Sequence, residues 1–431
     1  MISRADCLER DAADSLGHLR SQFATDAIDA QQLIYLDGNS LGIAPRTVAE
    51  RLQHVIHDEW ASGLIRSWNT AGWIDLPGRV GDKIARLVGA APSELVVADS
   101  TSANLFKVLH AAMAMVRADA PWRRRIVSER RNFPTDLYIA DTVARAHGFE
   151  LVLVDTGDVP SQLDERLAIL MLSHVNYRTG QLHRMGDVTR AAHDAGGLMV
   201  WDLAHSAGAM PVRLHGDDDA TTPDFAVGCG YKYLNGGPGA PAFVWVNPRH
   251  TARMDREGWR QPLSGWMGHA APFDFRPDYV AAAGISRFLC GTPPILSLSA
   301  LECGVDSVIA AEAAGGLGAI RDKSIALTDL FVALVESRCE GHGLALASPR
   351  DAGERGSQVS LVRATDGYPI VQALIERGVI GDFRGPDILR FGFAPLYLRF
   401  VDVWDAVDRL KTVLDSRLWQ EPRFSVRATV T

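Results

Sequence analysis

The residue best suited to chemistry is Lys232, which lies between Tyr231 and Tyr233. It follows the apolar run at residues 225–227 and precedes a glycine-rich turn that ends at Gly239. Aromatic neighbours and an adjoining apolar run would remove water from the amine and favour its neutral, nucleophilic form. Such an amine can bind a carbonyl compound covalently, although a lysine beside glycines is often only a solvated loop residue.

A second candidate is Asp202, near the end of the strand-like run at residues 197–203, with His205 three residues later. Taken alone, a strand-end aspartate can simply cap the next helix, and the histidine can be a bystander. Together with Lys232, however, the pattern fits pyridoxal 5'-phosphate (PLP). The PLP aldehyde binds a lysine, and a carboxylate keeps the pyridine nitrogen protonated so that the ring accepts electrons.

The phosphate group of such a cofactor needs hydroxyl groups and free backbone N–H groups. Residues 100–104, Ser-Thr-Ser-Ala-Asn, supply both at the start of a predicted helix, which begins near Leu105. A helix N-terminus is a ready anion site. The same residues would also serve as an ordinary helix N-cap, and the two interpretations are compatible.

The stretch Asn-Phe-Pro-Thr-Asp at residues 132–136 follows a predicted strand. We therefore expect Phe133 near the cofactor ring, where an aromatic side chain can stack, and Pro134 in the first turn of the next helix. A hydrophobic staple with a helix cap is the structural alternative. Ser173 also falls at the end of a predicted strand.

Three further residues admit both a functional and a structural interpretation. Arg390 lies in a strand-like run and needs a counter-charge if it is buried. That charge could be a substrate carboxylate, held by the two-pronged guanidinium group, or a structural salt bridge. Trp266 could be simple packing, and Thr292 lies in a Cys-Gly-Thr-Pro-Pro segment that could be a bare turn.

The elements that must position these groups alternate between strand-like and helix-like runs. The strand candidates are residues 125–129, 150–155, 167–175, 197–203, 225–228 and 240–247. This alternation predicts an α/β fold with a mostly parallel sheet covered by helices on both faces. In such sheets ligands bind beyond the carboxyl ends of the strands, which is where Asp202 and Ser173 are expected.

The domain organisation is suggested by a change of pattern near residue 296, where an alanine-rich helical stretch (299 to about 340) leads into a shorter α/β tail. We predict a large cofactor-binding domain over residues 61–300 and a smaller C-terminal α/β domain over residues 301–431. Residues 1–60 are expected to contribute to the small domain and to the cleft, through a loop at residues 35–42.

Composition excludes several classes of protein. With 431 residues, 47% of them hydrophobic, the chain can form two unequal domains with a large core. A net charge of −8 argues against nucleic acid or an anionic membrane as partner, and no run approaches the roughly 20 apolar residues that span a bilayer. The five cysteines form no CxxC pair, so neither a zinc site nor a disulfide framework is indicated. With no signal peptide at the N-terminus, a reducing, cytoplasmic compartment is expected.

The chain resembles fold-type-I PLP enzymes of the aminotransferase class V group and, within that group, kynureninases. The resemblance extends from residue 35 to residue 397 and implies a seven-stranded type of sheet. The segments specific to kynureninases are Tyr-Leu-Asp-Gly-Asn-Ser-Leu-Gly at 35–42, Asn-Phe-Pro-Thr-Asp at 132–136, Trp-Asp-Leu-Ala-His-Ser at 201–206, Gly-Tyr-Lys-Tyr-Leu-Asn-Gly-Gly-Pro-Gly at 230–239 and Gly-Trp-Met-Gly-His at 265–269.

The resemblance implies a role for each matching residue. Lys232 would bind the cofactor aldehyde, Asp202 would pair with the pyridinium nitrogen, and Tyr231 would contact the phosphate and act in catalysis. The other implied cofactor contacts are Thr101 and Ser102, which would bind the phosphate, and Phe133, Pro134, Thr135, Asp136, Ser173 and His205. Trp266 and Thr292 would complete the phosphate site from the neighbouring subunit of a homodimer with shared sites. The implied substrate contacts are Arg390 for the α-carboxylate and Trp68, Asn39 and Ser40 for the aryl-ketone pocket.

The implied activity is hydrolysis of the Cβ–Cγ bond of L-kynurenine to anthranilate and L-alanine, in tryptophan degradation or NAD-related metabolism. Whether 3-hydroxy-L-kynurenine is also a substrate is open, because a single hydrogen bond in the pocket can determine whether a substrate with one additional ring hydroxyl is accepted. Cysteine desulfuration and aminotransfer are open on fold alone. The former needs a mobile nucleophilic cysteine, with Cys339 and Cys290 as candidates. A non-catalytic PLP-binding sensor would usually carry an additional DNA-binding or interaction module, and the sequence shows no extra length for one.

Overall fold

The computed structural model describes residues 2–427 and has a seven-stranded sheet at its centre. After a short strand β1 (Ile34–Tyr35), the strands of this sheet are β2 (Leu95–Val97), β3 (Arg125–Glu129), β4 (Glu150–Val154), β5 (Leu167–Ser173), β6 (Leu198–Asp202), β7 (Phe225–Gly228) and β8 (Phe243–Val246). Their order across the sheet is β2-β8-β7-β6-β5-β3-β4. The α/β class and the six predicted strands are confirmed, with ends that shift by a few residues.

Most of the sheet is parallel, as the alternating pattern predicts. Strands β4, β3, β5, β6 and β7 all run in the same direction. Strand β8 is the exception, because it is antiparallel to both β7 and β2. The sequence reading missed β2, since a run of 3 residues is too short to show a strand period.

Helices cover both faces of this sheet. Over residues 2–427 the α-helices are α1 (Arg4–Ala12), α2 (Asp26–Ala30), α3 (Thr47–His54), α4 (Ser67–Thr70), α5 (Leu76–Leu87), α6 (Thr101–Asp119), α7 (Pro134–His147), α8 (Met185–Asp194), α9 (Pro248–Glu257), α10 (Ile295–Ile309), α11 (Gly316–Arg338), α12 (Gly367–Glu376) and α13 (Phe400–Ser416). Of these, α5 and α8 pack on one face of the central sheet, and α6 and α7 pack on the other. Within residues 2–427, none of the helices combines the length and apolar composition needed to cross a bilayer.

The alternation of side chains along β5 shows how the two faces are buried. Leu170 and Leu172 pack into one cluster of buried apolar side chains, while Ile169 and Met171 pack into the other. Successive residues of a strand point to opposite faces, so a strand buried on both sides must be apolar throughout. This explains why β5 is an unbroken apolar run in the sequence.

The predicted helical stretch from residue 299 to about 340 is divided in the structure. Helix α10 ends at Ile309, and α11 begins at Gly316. Gly315 and Gly316 have φ values of 102° and 63°, in the left-handed region that glycine adopts without steric cost. The chain therefore leaves one helix and starts another at this point.

The C-terminal part contains a four-stranded antiparallel sheet of order β12-β13-β10-β9. Its strands are β9 (Ala345–Leu346), β10 (Gln358–Val362), β12 (Asp382–Arg384) and β13 (Ile388–Gly392). Separately, β1 pairs in parallel with β11 (Val379–Ile380), so the N-terminal segment joins the C-terminal part. The division into domains near residues 60 and 300 stays a prediction.

Candidate active site

The carboxyl edge of the central sheet brings together groups that are far apart in sequence. Ser173 and Asp202 end β5 and β6 and are paired in register. Strand β7 ends at Gly228, and the turn that follows carries Lys232 to the same edge. There the Nζ atom of Lys232 lies 2.9 Å from Nε2 of His205.

A cavity of about 210 Å³ opens at this edge. It is lined by most of the cofactor contacts that the sequence predicts, namely Thr101, Ser102, Phe133, Thr135, Asp136, Ser173, Asp202, His205, Tyr231 and Lys232. The structure thus assembles in one place residues that come from five separate segments of the chain.

The N-terminus of helix α6 forms one wall of the cavity. Ser100 is its N-cap, and the Ser100 hydroxyl accepts a hydrogen bond from the Ala103 N–H at 3.3 Å. Thr101 and Ser102 follow in the first turn, whose N–H groups lack partners within the helix. The positive end of the helix dipole and these hydroxyls suit a phosphate group.

Two carboxyl groups, Asp136 and Asp202, lie side by side in the cavity. Burial and the neighbouring charge of Asp202 raise the pKa of Asp136 well above its usual value. Burial also raises the pKa of Asp202, but the Lys232 charge and the Ala204 N–H, which donates to Oδ1 at 2.9 Å, oppose that change. A proton shared by the pair therefore resides on Asp136, and Asp202 is left as the carboxylate that a pyridinium nitrogen requires.

The ionisation of His205 and Tyr231 is also set by burial. Burial and the positive charge of Lys232 hold the pKa of His205 well below its usual value, so its imidazole is neutral. Burial raises the pKa of Tyr231 above its ordinary value, so its hydroxyl keeps its proton near neutral pH. Tyr231 can therefore donate a hydrogen bond or a proton.

The aromatic rings in the cavity surround the lysine. The Nζ atom of Lys232 lies 5.8 Å from the ring centroid of Phe133 and 5.7 Å from that of Tyr231. Phe133 directly precedes α7, which begins at Pro134 as predicted. The edge of Phe133 packs against Tyr177 with ring centroids 5.3 Å apart.

Arg390 is buried and has a protein counter-charge. Its Nε donates to Oδ1 of Asp382 at 2.8 Å, and its Nη2 donates to Oδ2 of the same carboxylate. Nη1 donates to the backbone carbonyl of Tyr177 at 2.8 Å, and Nη2 also reaches the Ser40 hydroxyl at 2.6 Å. The salt bridge that the sequence left open is present, and the predicted role in binding a substrate carboxylate stays a prediction.

Several predicted residues lie away from this cavity. Trp68 and Trp266 pack against each other with ring centroids 6.4 Å apart, and Thr292 is exposed. Asn39 is buried, with its side-chain amide 3.3 Å from the Gln358 side-chain oxygen. Pro134, Ser40 and Arg390 do not line the cavity either. Their assigned contacts stay predictions.

Tyr177 and Asp99 are among the cavity-wall residues that were not singled out from the sequence. Tyr177 follows β5 by four residues and packs on Phe133, and its position after a predicted strand end was the available signal. Asp99 directly precedes the Ser100 cap and has a φ value of 45°. Nothing in its local sequence indicates this left-handed conformation.

The donor set of the cavity fits PLP. It offers an amine for the aldehyde, a carboxylate for the ring nitrogen, an aromatic side chain for the ring face and a helix N-terminus for the phosphate. Over residues 2–427 there is no group of three or more His, Cys, Asp or Glu side chains placed to hold a metal ion.

Comparison with curated proteins relates the chain to one family. A kynureninase of Burkholderia mallei (strain SAVP1) is 54% identical over 434 residues, covering 100% of both chains. A kynureninase of Pseudomonas fluorescens is 51% identical with the same coverage. The family model described as "Kynureninase C-terminal domain" matches residues 320–410.

Solved structures of the same fold are more distant in sequence. An apo cysteine desulfurase from Thermococcus onnurineus NA1 has a TM-score of 0.75 at 18% identity, covering 93% of this chain and 98% of that one. A cysteine desulfurase from Escherichia coli has a TM-score of 0.73 at 19% identity, with coverage of 93% and 98%. At this level of identity the likeness shows the fold alone.

Proposed function

The chain belongs to the kynureninase family, and on that premise we propose that it hydrolyses the Cβ–Cγ bond of L-kynurenine to anthranilate and L-alanine, with PLP as cofactor. The observation that carries the proposal is the cavity that joins Lys232 and Asp202 to the N-terminus of α6. Bound PLP supplies an electron-accepting ring, which stabilises negative charge on the carbon atoms next to the substrate amine.

Lys232 has two tasks in this scheme. Its amine would hold the cofactor aldehyde, and when Nζ is free it could take the proton from the substrate α-carbon. His205 is neutral and lies 2.9 Å from Nζ, so it can orient the amine without competing for a positive charge. Asp202 would keep the ring nitrogen of bound PLP protonated, and the protonated Asp136 beside it adds no second negative charge.

The end of the reaction requires a proton donor. Water adds to the ketone carbon, the Cβ–Cγ bond breaks to release anthranilate, and the remaining β-carbon must gain a proton. Tyr231 lines the same cavity and retains its hydroxyl proton, because burial raises its pKa. We therefore assign it as this donor, and a purely phosphate-binding role is the alternative.

The experiment is anthranilate fluorescence from purified protein with added PLP and L-kynurenine, with 3-hydroxy-L-kynurenine run in parallel. We expect fluorescence that grows with time and disappears in Lys232→Ala. Lys411→Ala, an exposed lysine on α13 paired with Asp415, is the control and should keep full activity. A protein that binds PLP but releases no anthranilate would contradict the proposed substrate.

Cysteine desulfuration is the nearest alternative, and the cysteines do not favour it. Burial raises the pKa of Cys339 to about 11, and the residue caps the C-terminal end of α11, outside the cavity. Cys290 is half-buried, and burial raises its pKa as well. A desulfurase needs a thiolate that is exposed and mobile, so release of sulfide from L-cysteine is not expected.

A homodimer with shared sites is part of the proposal. Trp266 and Thr292 lie outside the cavity of their own chain, and several large apolar side chains are exposed, among them Trp60, Leu64, Ile65, Phe273 and Phe275. Phe273 is in ring contact with both Phe275 and Trp266, and exposed apolar clusters of this kind are typical of a protein interface. We further propose a cytoplasmic location and a place in tryptophan degradation, which rest on the family and on composition.

Mixed dimers test whether Trp266 acts across the interface. Lys232→Ala and Trp266→Ala subunits are each expected to be nearly inactive alone. If Trp266 serves the partner's site, a mixed dimer contains one site with both residues intact, and mixing restores up to about a quarter of the activity, by random pairing. No recovery on mixing, with dimers present by light scattering, would contradict a shared site.

A further inference from the structure

Lys107 is a fully buried lysine on helix α6 for which the proposed reaction has no role. Its relative exposure is 0%, and its ammonium group has three acceptors. It donates to the carboxylate of Asp99, to Oδ1 of Asn104 at 3.2 Å and to the backbone carbonyl of Phe288 at 2.6 Å. Three acceptors match the three N–H donors of an ammonium group.

The first of these contacts reaches the cofactor cavity. Asp99 lines the cavity and directly precedes Ser100, the N-cap of α6. Its carbonyl accepts a hydrogen bond from the Ala242 N–H at 2.9 Å, and its φ of 45° turns the chain into the helix. An unopposed carboxylate at this position would repel a phosphate dianion bound at the same helix end.

The third contact reaches the segment that carries Trp266 and Thr292. Phe288 ends a short 3-10 helix two residues before Cys290. The Cys290 carbonyl in turn accepts a hydrogen bond from the Met267 N–H at 3.1 Å. Lys107 therefore joins the N-terminus of α6 to the loop pair whose Trp266 and Thr292, in the proposed homodimer, complete the phosphate site of the neighbouring subunit.

We propose that Lys107 is a positioning residue for the cofactor phosphate: it neutralises Asp99 at the N-terminus of α6 and ties that terminus to the segment before Thr292. This inference rests on the proposed use of PLP. An ion pair between Lys107 and Asp99 that served only stability would leave the preference for a phosphorylated ligand unchanged. The phosphate-dependent part of cofactor affinity is therefore the quantity to measure.

The experiment compares PLP with pyridoxal, which lacks the phosphate, in absorbance titrations of the apoprotein. The variants are Lys107→Met, Asp99→Asn and the double variant. Lys107→Met should weaken PLP binding about tenfold or more, with pyridoxal affinity changed less than about threefold. The double variant should recover most of the PLP affinity, because it again has no net charge at this position.

Asp99→Asn keeps the inference testable if Lys107→Met does not fold. This variant leaves the ammonium group in place and removes a negative charge, so it should bind PLP at least as tightly as the wild type. Weaker PLP binding by Asp99→Asn would overturn the inference, and so would equal weakening of PLP and pyridoxal in Lys107→Met. A wild-type protein that binds no PLP would instead overturn the proposed function itself.

Discussion

The guanidinium group of Arg390 and the carboxylate of Asp382 form a buried two-pronged ion pair between neighbouring strands. The two residues are register partners in β13 and β12, and each side chain is 2% exposed. A guanidinium group presents two parallel N–H donors, which match the two oxygens of a carboxylate. Asp382 thus fixes the orientation of Arg390 in the absence of any ligand.

The first prediction concerns Arg390→Lys. A lysine keeps the positive charge but lacks the two parallel N–H donors of a guanidinium group. It can therefore neither form the two-pronged ion pair with Asp382 nor hold a substrate carboxylate in a fixed orientation. We expect the KM for L-kynurenine to rise about tenfold to a hundredfold, because this factor corresponds to the loss of one charge-assisted hydrogen bond to the substrate. Steady-state kinetics with the anthranilate assay give KM and kcat separately.

Arg384→Lys is the matched control for this change. Arg384 also donates to Asp382, at 2.6 Å, but its side chain is 37% exposed. If Arg390 acts on the substrate, the control should leave KM within about twofold. Equal effects of both substitutions would show that Arg390 serves only the ion pair.

The second prediction separates two roles of Tyr231. Tyr231→Phe removes the hydroxyl group and keeps the ring beside Lys232. Loss of a general acid should lower kcat about 10²- to 10⁴-fold, with little change in the dissociation constant for PLP. Unchanged kcat with weaker PLP retention would instead assign Tyr231 to the phosphate alone. Single-turnover kinetics and PLP titration distinguish the two outcomes.

The third prediction is a pH dependence that originates at Asp37. Burial and the nearby charge of Asp382 raise the pKa of Asp37 to about 7. The folded protein thus keeps a proton that the unfolded chain loses near pH 4, and this contribution to stability is lost as the pH rises to about 7. Asp37→Asn carries no such proton, so the variant should gain stability relative to the wild type over this range.

The measurement is the free energy of unfolding of both apoproteins in urea at pH 4.5, 6 and 8. The difference between variant and wild type cancels the titration of all other groups. It should grow in favour of Asp37→Asn up to about pH 7 and then level off. A difference that is independent of pH would contradict the raised pKa.

The fourth prediction concerns a buried carboxylate away from the active site. Asp224 accepts from the Arg249 side chain at 2.6 Å and lies within hydrogen-bond distance of His193 and His250, at 2.9 Å and 2.6 Å. Burial alone would raise the pKa of Asp224, but the hydrogen bonds to His193 and His250 outweigh it and hold the pKa well below its usual value. Its contribution to stability is therefore present above pH 4 and is lost as the pH falls through the lowered value.

Asp224→Ala leaves the buried His250 and the largely buried His193 without their hydrogen-bond partner and should destabilise the protein by about 3–5 kcal/mol at neutral pH. Urea unfolding of the apoprotein checks this value. The control is Asp219→Ala, an exposed aspartate nearby, which is expected to change stability by less than about 0.5 kcal/mol. Comparable effects of the two substitutions would show that the Asp224 network contributes nothing.

Local pattern was sufficient for most of the sheet and for the centre of the site. Strands β3 and β7 match their predicted bounds, because each has an apolar centre, at residues 126–127 and 225–227, that is bounded by polar residues or glycine. Lys232 and Asp202 could be paired from sequence because both follow strands of one parallel sheet, whose carboxyl ends share an edge. Short stretches of sequence were therefore sufficient to predict the chemistry of the site.

What only the tertiary structure decided are the partners that distant segments supply. Asp382 pairs with Arg390 through a strand register, and Lys107 meets Phe288 across 181 positions of sequence. The antiparallel direction of β8 and the break at Gly315 likewise depend on how the chain returns to the core. Residue type and spacing determine which groups can react, whereas burial and the counter-charges that set their ionisation arise only when remote segments pack together.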